Sequence, residues 1–145
     1  MTEKKLILRI IARILYLAVF VSNMICIVAF IANPAGYIYS YQVNGAAGAE
    51  AAIEGIGVAF AMWNVTYPFF ILNRKDNRAL GLAIIVQQVV GLIGELYIKA
   101  GLGPECAELA DSIVRFIWFD AGGLVLLIIG FVLLFCKRSG NLSQK

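Results

Sequence analysis

At 145 residues, 61% hydrophobic and 14% charged, with a mean hydropathy of +0.87, the chain lies far from soluble domains, which run at about 45–50% apolar and about 25% charged. It reads as one membrane domain, 1–145. A net charge of +3 does not point to nucleic acid, because the basic residues stand at the ends of apolar segments and form no basic face with interleaved aromatics.

The first apolar segment runs over about 14–32, with a basic lead-in from Lys4 to Arg13. Its apolar run exceeds the ~7–15 residues of a signal-peptide core, so a retained helix is expected rather than a cleaved leader. Asn33-Pro34 stops it, since proline lacks the donor and restricts the residue before it. Tyr37, Tyr39 and Tyr41 follow in a polar stretch suited to a bilayer interface.

The second segment runs over about 47–72, the third over about 79–98 and the fourth over about 111–135. Each is near the ~20 residues that span a bilayer as a helix. Asn73 to Asn77 forms a tight turn, Gly101 to Pro104 opens the last connection, and Ser139 to Lys145 is a short polar tail. Helix is the only spanning structure that fits, because a barrel needs alternating strands of about ten residues. The fold class is therefore all-α: an integral membrane bundle of four transmembrane helices. Lys4, Lys5, Arg9, Arg13, Arg74, Lys75, Arg78, Lys137, Arg138 and Lys145 fall on one side, and of the loop cations only Lys99 falls on the other. The positive-inside rule then places the N and C termini in the cytoplasm of a multi-pass protein of the cell membrane, in a bacterium the inner membrane.

With that topology, Glu50, Glu54, Glu95, Asp111, Asp120 and Arg115 all lie in the outer half. Ionisable groups persist in hydrocarbon only when paired, hydrated or functional. By depth, Glu50, Glu95 and Asp111 form a hydrated rim and Glu54, Arg115 and Asp120 a deeper trio. On the second helix Glu50, Glu54, Gly57, Ala61, Asn64 and Pro68 share one small, polar stripe, expected to face protein, while Ile53, Ile56, Phe60 and Phe70 are expected to face lipid. On the third, Gln87 or Gln88 lines up with Gly91, Gly94 and Glu95, with Asn23 and Asn64 as candidate partners for the glutamines. Asp111 and Arg115 are spaced to pair along their helix. Asp120 lies about 140° around from Arg115, so Arg115 is expected to reach Glu50, Glu54 or Glu95 instead. One arginine does not neutralise five carboxylates, which leaves room for a shared proton, a cation or a basic ligand.

Other features carry less. Trp63 and Tyr67 are expected near the inner interface and Trp118 in the outer half, as belt or packing aromatics. Asn64-Val65-Thr66 matches a glycosylation pattern but lies inside a membrane segment. Cys26, Cys106 and Cys136 are too far apart in this topology to pair, and no CxxC occurs. The chain has no histidine, the commonest metal ligand and general base, so no metal or cofactor is expected.

The layout resembles the DoxX-like assortment of small four-helix bacterial membrane proteins. The likeness is carried by Asn33-Pro34, the run Glu54-Gly55-Ile56-Gly57, Asn77-Arg78-Ala79-Leu80-Gly81 and Gly91-Leu92-Ile93-Gly94-Glu95. It implies the fold, and in certain relatives an association with membrane redox or quinone chemistry, and it brings no catalytic residue. Three functions fit the residues. The first is a non-enzymatic protein whose outer acidic pocket, built from Glu54, Asp120, Arg115, Glu50, Glu95, Gln87, Gln88 and Asn64, binds a proton, cation or small polar ligand. It would act as a transporter-like or accessory subunit, with self-association or a membrane partner protein. The second is an enzyme on a lipid or quinone, with Glu54 or Asp120 as acid/base and Arg115 holding an anion. The third is a structural subunit in which the polar residues are interhelical glue.

Overall fold

The computed structural model describes residues 3–41, 46–73 and 75–135. Arg74, Cys136, Lys137, Arg138 and Lys145, used above for orientation and cysteine spacing, lie outside the described residues.

The lead-in from Lys4 to Arg13 contains no glycine or proline and is rich in Leu, Ile, Lys and Arg, all compatible with helix. It accordingly joins the first apolar segment in one helix, α1 (Glu3–Ala32), longer than the apolar run alone. Asn33-Pro34 ends it, and Pro34–Tyr37 forms one 3-10 turn. The second segment is bent. α2 (Ala46–Asn64) and α3 (Thr66–Leu72) meet at Val65, whose φ of −56° and ψ of −29° keep the right-handed sense, so the interruption is a kink rather than a turn. Pro68 explains it: its missing N–H removes the bond to the Asn64 carbonyl. Side chains bond back onto carbonyls around the bend, Asn64 Nδ2 to Phe60 O at 2.8 Å and Thr66 Oγ1 to Trp63 O at 3.3 Å.

α4 (Arg78–Gly101) starts at Asn77, whose side chain caps Leu80 N at 3.1 Å. A single 3-10 turn at Pro104–Cys106 leads into α5 (Ala107–Phe135). All regular structure among the described residues is helical. Among the described residues four spans, counting α2 with α3 as one, are long and apolar enough to cross a membrane.

α1 packs against α2, α3 and α5, while α4 packs against α5 and α3. The short α3 therefore closes the ring between α1 and α4, and α2 does not continue that closure along α4. The buried apolar cluster sits in the half that α3 closes: Tyr16, Val19, Tyr67, Phe70, Ile84 and Leu127. Tyr16 and Phe70 rings approach to 4.3 Å, and the Tyr16 hydroxyl donates to Gly81 O at 3.3 Å. At this arginine-rich end, Arg9 donates to Asp76 Oδ2 from Nε at 3.0 Å and Nη2 at 2.7 Å, and Arg13 reaches Asp76 Oδ1 at 3.5 Å and the Asn73 carbonyl. The Asp76 side chain is only 7% exposed, so the turn between α3 and α4 is pinned to α1.

The facing of α2 differs from the expected stripe. Ala49, Ile53, Gly57, Asn64 and Tyr67 are buried, and Phe70 on α3 with them, whereas Glu54 is exposed. Gly57 sets this phase: a Cβ there would stand 2.8 Å from Ile31 Cγ1 and 3.1 Å from Phe30 Cβ. Helix axes brought that close at a glycine pack the large residues one turn away on the same face, so Ile53 turns inward with Gly57.

Candidate functional site

The gap left between α2 and α4 by the kink is a cavity of about 310 Å³. Phe60, Trp63 and Asn64 of α2 form one wall, and Gly91, Gly94 and Glu95 of α4 the other. Asn23 of α1 and Asp120 of α5 close the back, and Gln88 joins them. The space continues toward the end that carries the tyrosine-rich segment 37–41.

The polar groups at the back are ordered by one another. Asn23 and Asn64, each 1% exposed, are joined by Asn23 Nδ2 donating to Asn64 Oδ1 at 2.7 Å. Gln88 Nε2 donates to the backbone carbonyl of Asp120 at 3.3 Å, and Gln88 Oε1 accepts from the Tyr67 hydroxyl at 3.4 Å. Asp120 is 6% exposed and lies against the backbone of α4: a Cβ at Gly91 would stand 3.1 Å from its Oδ2 and 3.3 Å from the Trp63 ring. Glycine at 91 thus admits both the carboxylate and the indole to the same space.

Among the described residues two oxygens are left over. Asn23 Oδ1 and Glu95 Oε2 are buried with no hydrogen-bond partner, although buried polar atoms are ordinarily satisfied. Among the described residues the ion pairs are those of Arg9 and Arg13 with Asp76, so no cation meets Glu95 or Asp120. The site is a set of acceptors, two of them carboxylates, beside one aromatic wall. Such a set can hold a cation or a group rich in N–H or O–H donors.

Beyond the spans, Phe30 packs edge-on against Tyr37 at 4.8 Å, folding the tyrosine segment back over α1. Burial pushes the Tyr41 hydroxyl up to about 12, with the Glu95 carboxylate the next cause, which puts Tyr41 within electrostatic reach of the cavity. Tyr39 donates to the Glu108 carboxylate, and this bond first, then the charge, raises its pKa.

Of the residues singled out by sequence, Asp120, Glu95, Gln88 and Asn64 line one cavity. Glu95 therefore stands beside Asp120 rather than on a rim. Glu54 is exposed on the far side of α2, and Glu50 is half-buried; neither lines this cavity. Gln87 faces α3, where it accepts from Thr66 Oγ1 at 3.0 Å. Asp111 and Arg115 are both exposed and do not pair, and Arg115 reaches none of Glu50, Glu54 or Glu95; it lines a second cavity on another face of α5. The rotation of one helix against the next decides these positions, and periodicity within one helix does not contain it. Asn23, Phe60 and Trp63 also belong to the site. The signal for the last two was present, since Phe60, Trp63 and Asn64 are spaced as one helix face, but Phe60 was expected against lipid and Trp63 at an interface.

Cys26 and Cys106 are free thiols. Comparisons with protein-family models, with curated proteins and with solved structures gave no match to this chain.

Proposed function

We propose that this chain is a multi-pass protein of the cell membrane, both termini cytoplasmic, whose cavity between α2 and α4 binds a cation or a small protonated ligand. Four apolar spans and the one-sided distribution of lysine and arginine support the membrane placement. On that placement the cavity lies in the outer half of the bilayer and opens sideways between α2 and α4. It acts as a binding step of a transporter-like or accessory subunit. Four spans leave little room for a private pathway, so self-association or a larger membrane partner completes it.

The observation that carries this reading is the pairing balance. Glu95 and Asp120 share a cavity that no cation of the described chain enters, and Glu95 Oε2 and Asn23 Oδ1 point to no donor. A ligand bearing positive charge and N–H donors supplies both deficits. Trp63 and Phe60 on the wall add an aromatic surface for an organic ammonium group.

Trp63 also supplies the readout, because Trp118, the other tryptophan, lies outside this cavity and is 75% exposed. Titrating the purified protein with sodium ion and with benzylammonium should give a saturable change in tryptophan emission. The change should vanish in Trp63→Phe and weaken by about tenfold or more in Asp120→Asn or Glu95→Gln, for the loss of a charge-assisted contact. Unsaturable emission with both probes, or unchanged titrations in the double variant, would sink the proposal. Variants that only alter thermal stability would favour the structural reading.

A further inference from the structure

A second cavity, of about 230 Å³, lies across α5 from the acidic one, between that helix, α1 and the tyrosine segment. Its polar side is made by Arg115, Tyr37, Ser40 and Ser112, and its apolar side by Phe116 and Phe119, with Cys26 of α1 completing the lining. Among the described residues no carboxylate lines it. Arg115 is exposed and, among the described residues, has no acidic partner, although Asp111 stands one turn away. An unpaired guanidinium with three hydroxyls around one cavity is a donor set for an oxyanion, and a planar guanidinium suits phosphate oxygens in particular.

Depth narrows the source. From Phe116 to Phe135 the helix carries a single charged residue, Asp120, over a run that matches the ~20 residues of a membrane span. On the membrane placement proposed above, on which this step rests, a span over that run puts Arg115, the residue just before it, at the level of the lipid phosphates rather than deeper in the outer half. Trp118 beside it is 75% exposed and Tyr97 on α4 is 81% exposed, as aromatics of an interfacial belt are. The cavity therefore meets its ligand at a boundary: hydroxyls and guanidinium above, phenyl rings below.

We propose that the Arg115 cavity is a phosphate-binding site, occupied by the headgroup phosphate of a phospholipid whose glycerol and first acyl carbons lie over Phe116 and Phe119. It is separate from the acidic cavity and stands whether or not that cavity binds a cation. The shared chemistry also admits free phosphate, and the two sources are separable.

The test follows thermal unfolding of the full chain in detergent against three probes: dioctanoyl phosphatidylglycerol, dioctanoylglycerol and inorganic phosphate. Phosphatidylglycerol should raise the midpoint saturably, as any ligand of the folded state does, and dioctanoylglycerol, with the same tails and no phosphate, should not. Arg115→Gln should reduce the affinity by about tenfold or more. Ser40→Leu, which fills the cavity from the loop and leaves the guanidinium in place, should do the same. Inorganic phosphate acting as strongly, and through Arg115, identifies a free anion as the ligand; its failure identifies the lipid. Three results overturn the site: no shift with either phosphate, an equal shift with dioctanoylglycerol, or a shift that survives Arg115→Gln. Survival in Ser40→Leu alone also overturns it, because the arginine then works at the open surface and not in the cavity.

Discussion

The two ends of this bundle treat buried charge in opposite ways. At the arginine-rich end one aspartate, Asp76, receives two arginines from a different helix, and the residues below it pack a closed apolar cluster. Toward the tyrosine-rich end two carboxylates, Glu95 and Asp120, line open space with no basic partner among the described residues. Arg115 sits on the same helix as Asp120, yet on another face. A chain that brings two arginines to one buried aspartate at one end does not lack the means at the other. The contrast separates a half built to hold the helices together from a half that leaves acceptors open for something else.

That contrast predicts effects of opposite sign. Asp76→Ala should be the most damaging change, since it leaves Arg9 and Arg13 facing each other and releases the α3–α4 turn from α1. Breaking a buried pair costs several kcal/mol, and discounting for arginine side chains that are 28% and 27% exposed leaves about 2 kcal/mol. Thermal unfolding in detergent reads it directly. Asp120→Asn and Glu95→Gln should do the reverse, leaving the protein as stable or up to about 1 kcal/mol more stable, because an isolated buried charge is exchanged for an amide. Loss of stability of the Asp76→Ala size in these two variants would erase the distinction between the ends.

The four spans were legible because length and hydropathy fix them without reference to neighbours. Asn33-Pro34 was legible as a stop for the same local reason. Pro68 carried an equally local signal, the lost bond to Asn64, and it marks the kink that opens the cleft. The candidate site was less legible because it depends on how helices rotate against each other. Glu54 shares a polar stripe with Asn64 on paper, but the close approach at Gly57 turns Ile53 inward and leaves Glu54 outside. Arg115 and Asp120 were separable from phase alone, since both lie on one helix. The contact of Asp120 with Gly91 joins two helices, and nothing in either sequence segment sets that register. The burial of Asp76 is not legible in the sequence, because it sits in a turn, where an acid is ordinarily solvated, and arginines far away in the chain bury it.

Gly91→Ala is a smaller probe of the open half. Its Cβ would stand 3.1 Å from Asp120 Oδ2, so the carboxylate must move by a few tenths of an ångström, at a cost of about 1 kcal/mol or less. The benzylammonium titration read from Trp63 should weaken, while the pairing at Asp76 and the packing around Tyr16 stay as they are. An unchanged titration would mean that the position of Asp120 does not matter to the ligand.

The smallest expected effect appears only in alkali. Tyr41 is half-buried, and its hydroxyl is raised from 10.0 to about 12 by burial first and then by the charge of Glu95. A folded state that holds this proton more tightly than the unfolded chain is stabilised by it fully below pH 10, and loses that stabilisation as pH rises from 10 to 12. Tyr41→Phe removes the titration. Its thermal midpoint should fall less steeply than that of the unmodified chain between pH 10 and 12, with little difference at neutral pH. Glu95→Gln should flatten the same decline by a smaller amount, because it removes the second cause and leaves burial. If Glu95→Gln has no effect on the alkaline limb while Tyr41→Phe does, the tyrosine is shielded from the cavity, and the Glu95 carboxylate must then lie farther from the mouth than its partnerless oxygen suggests.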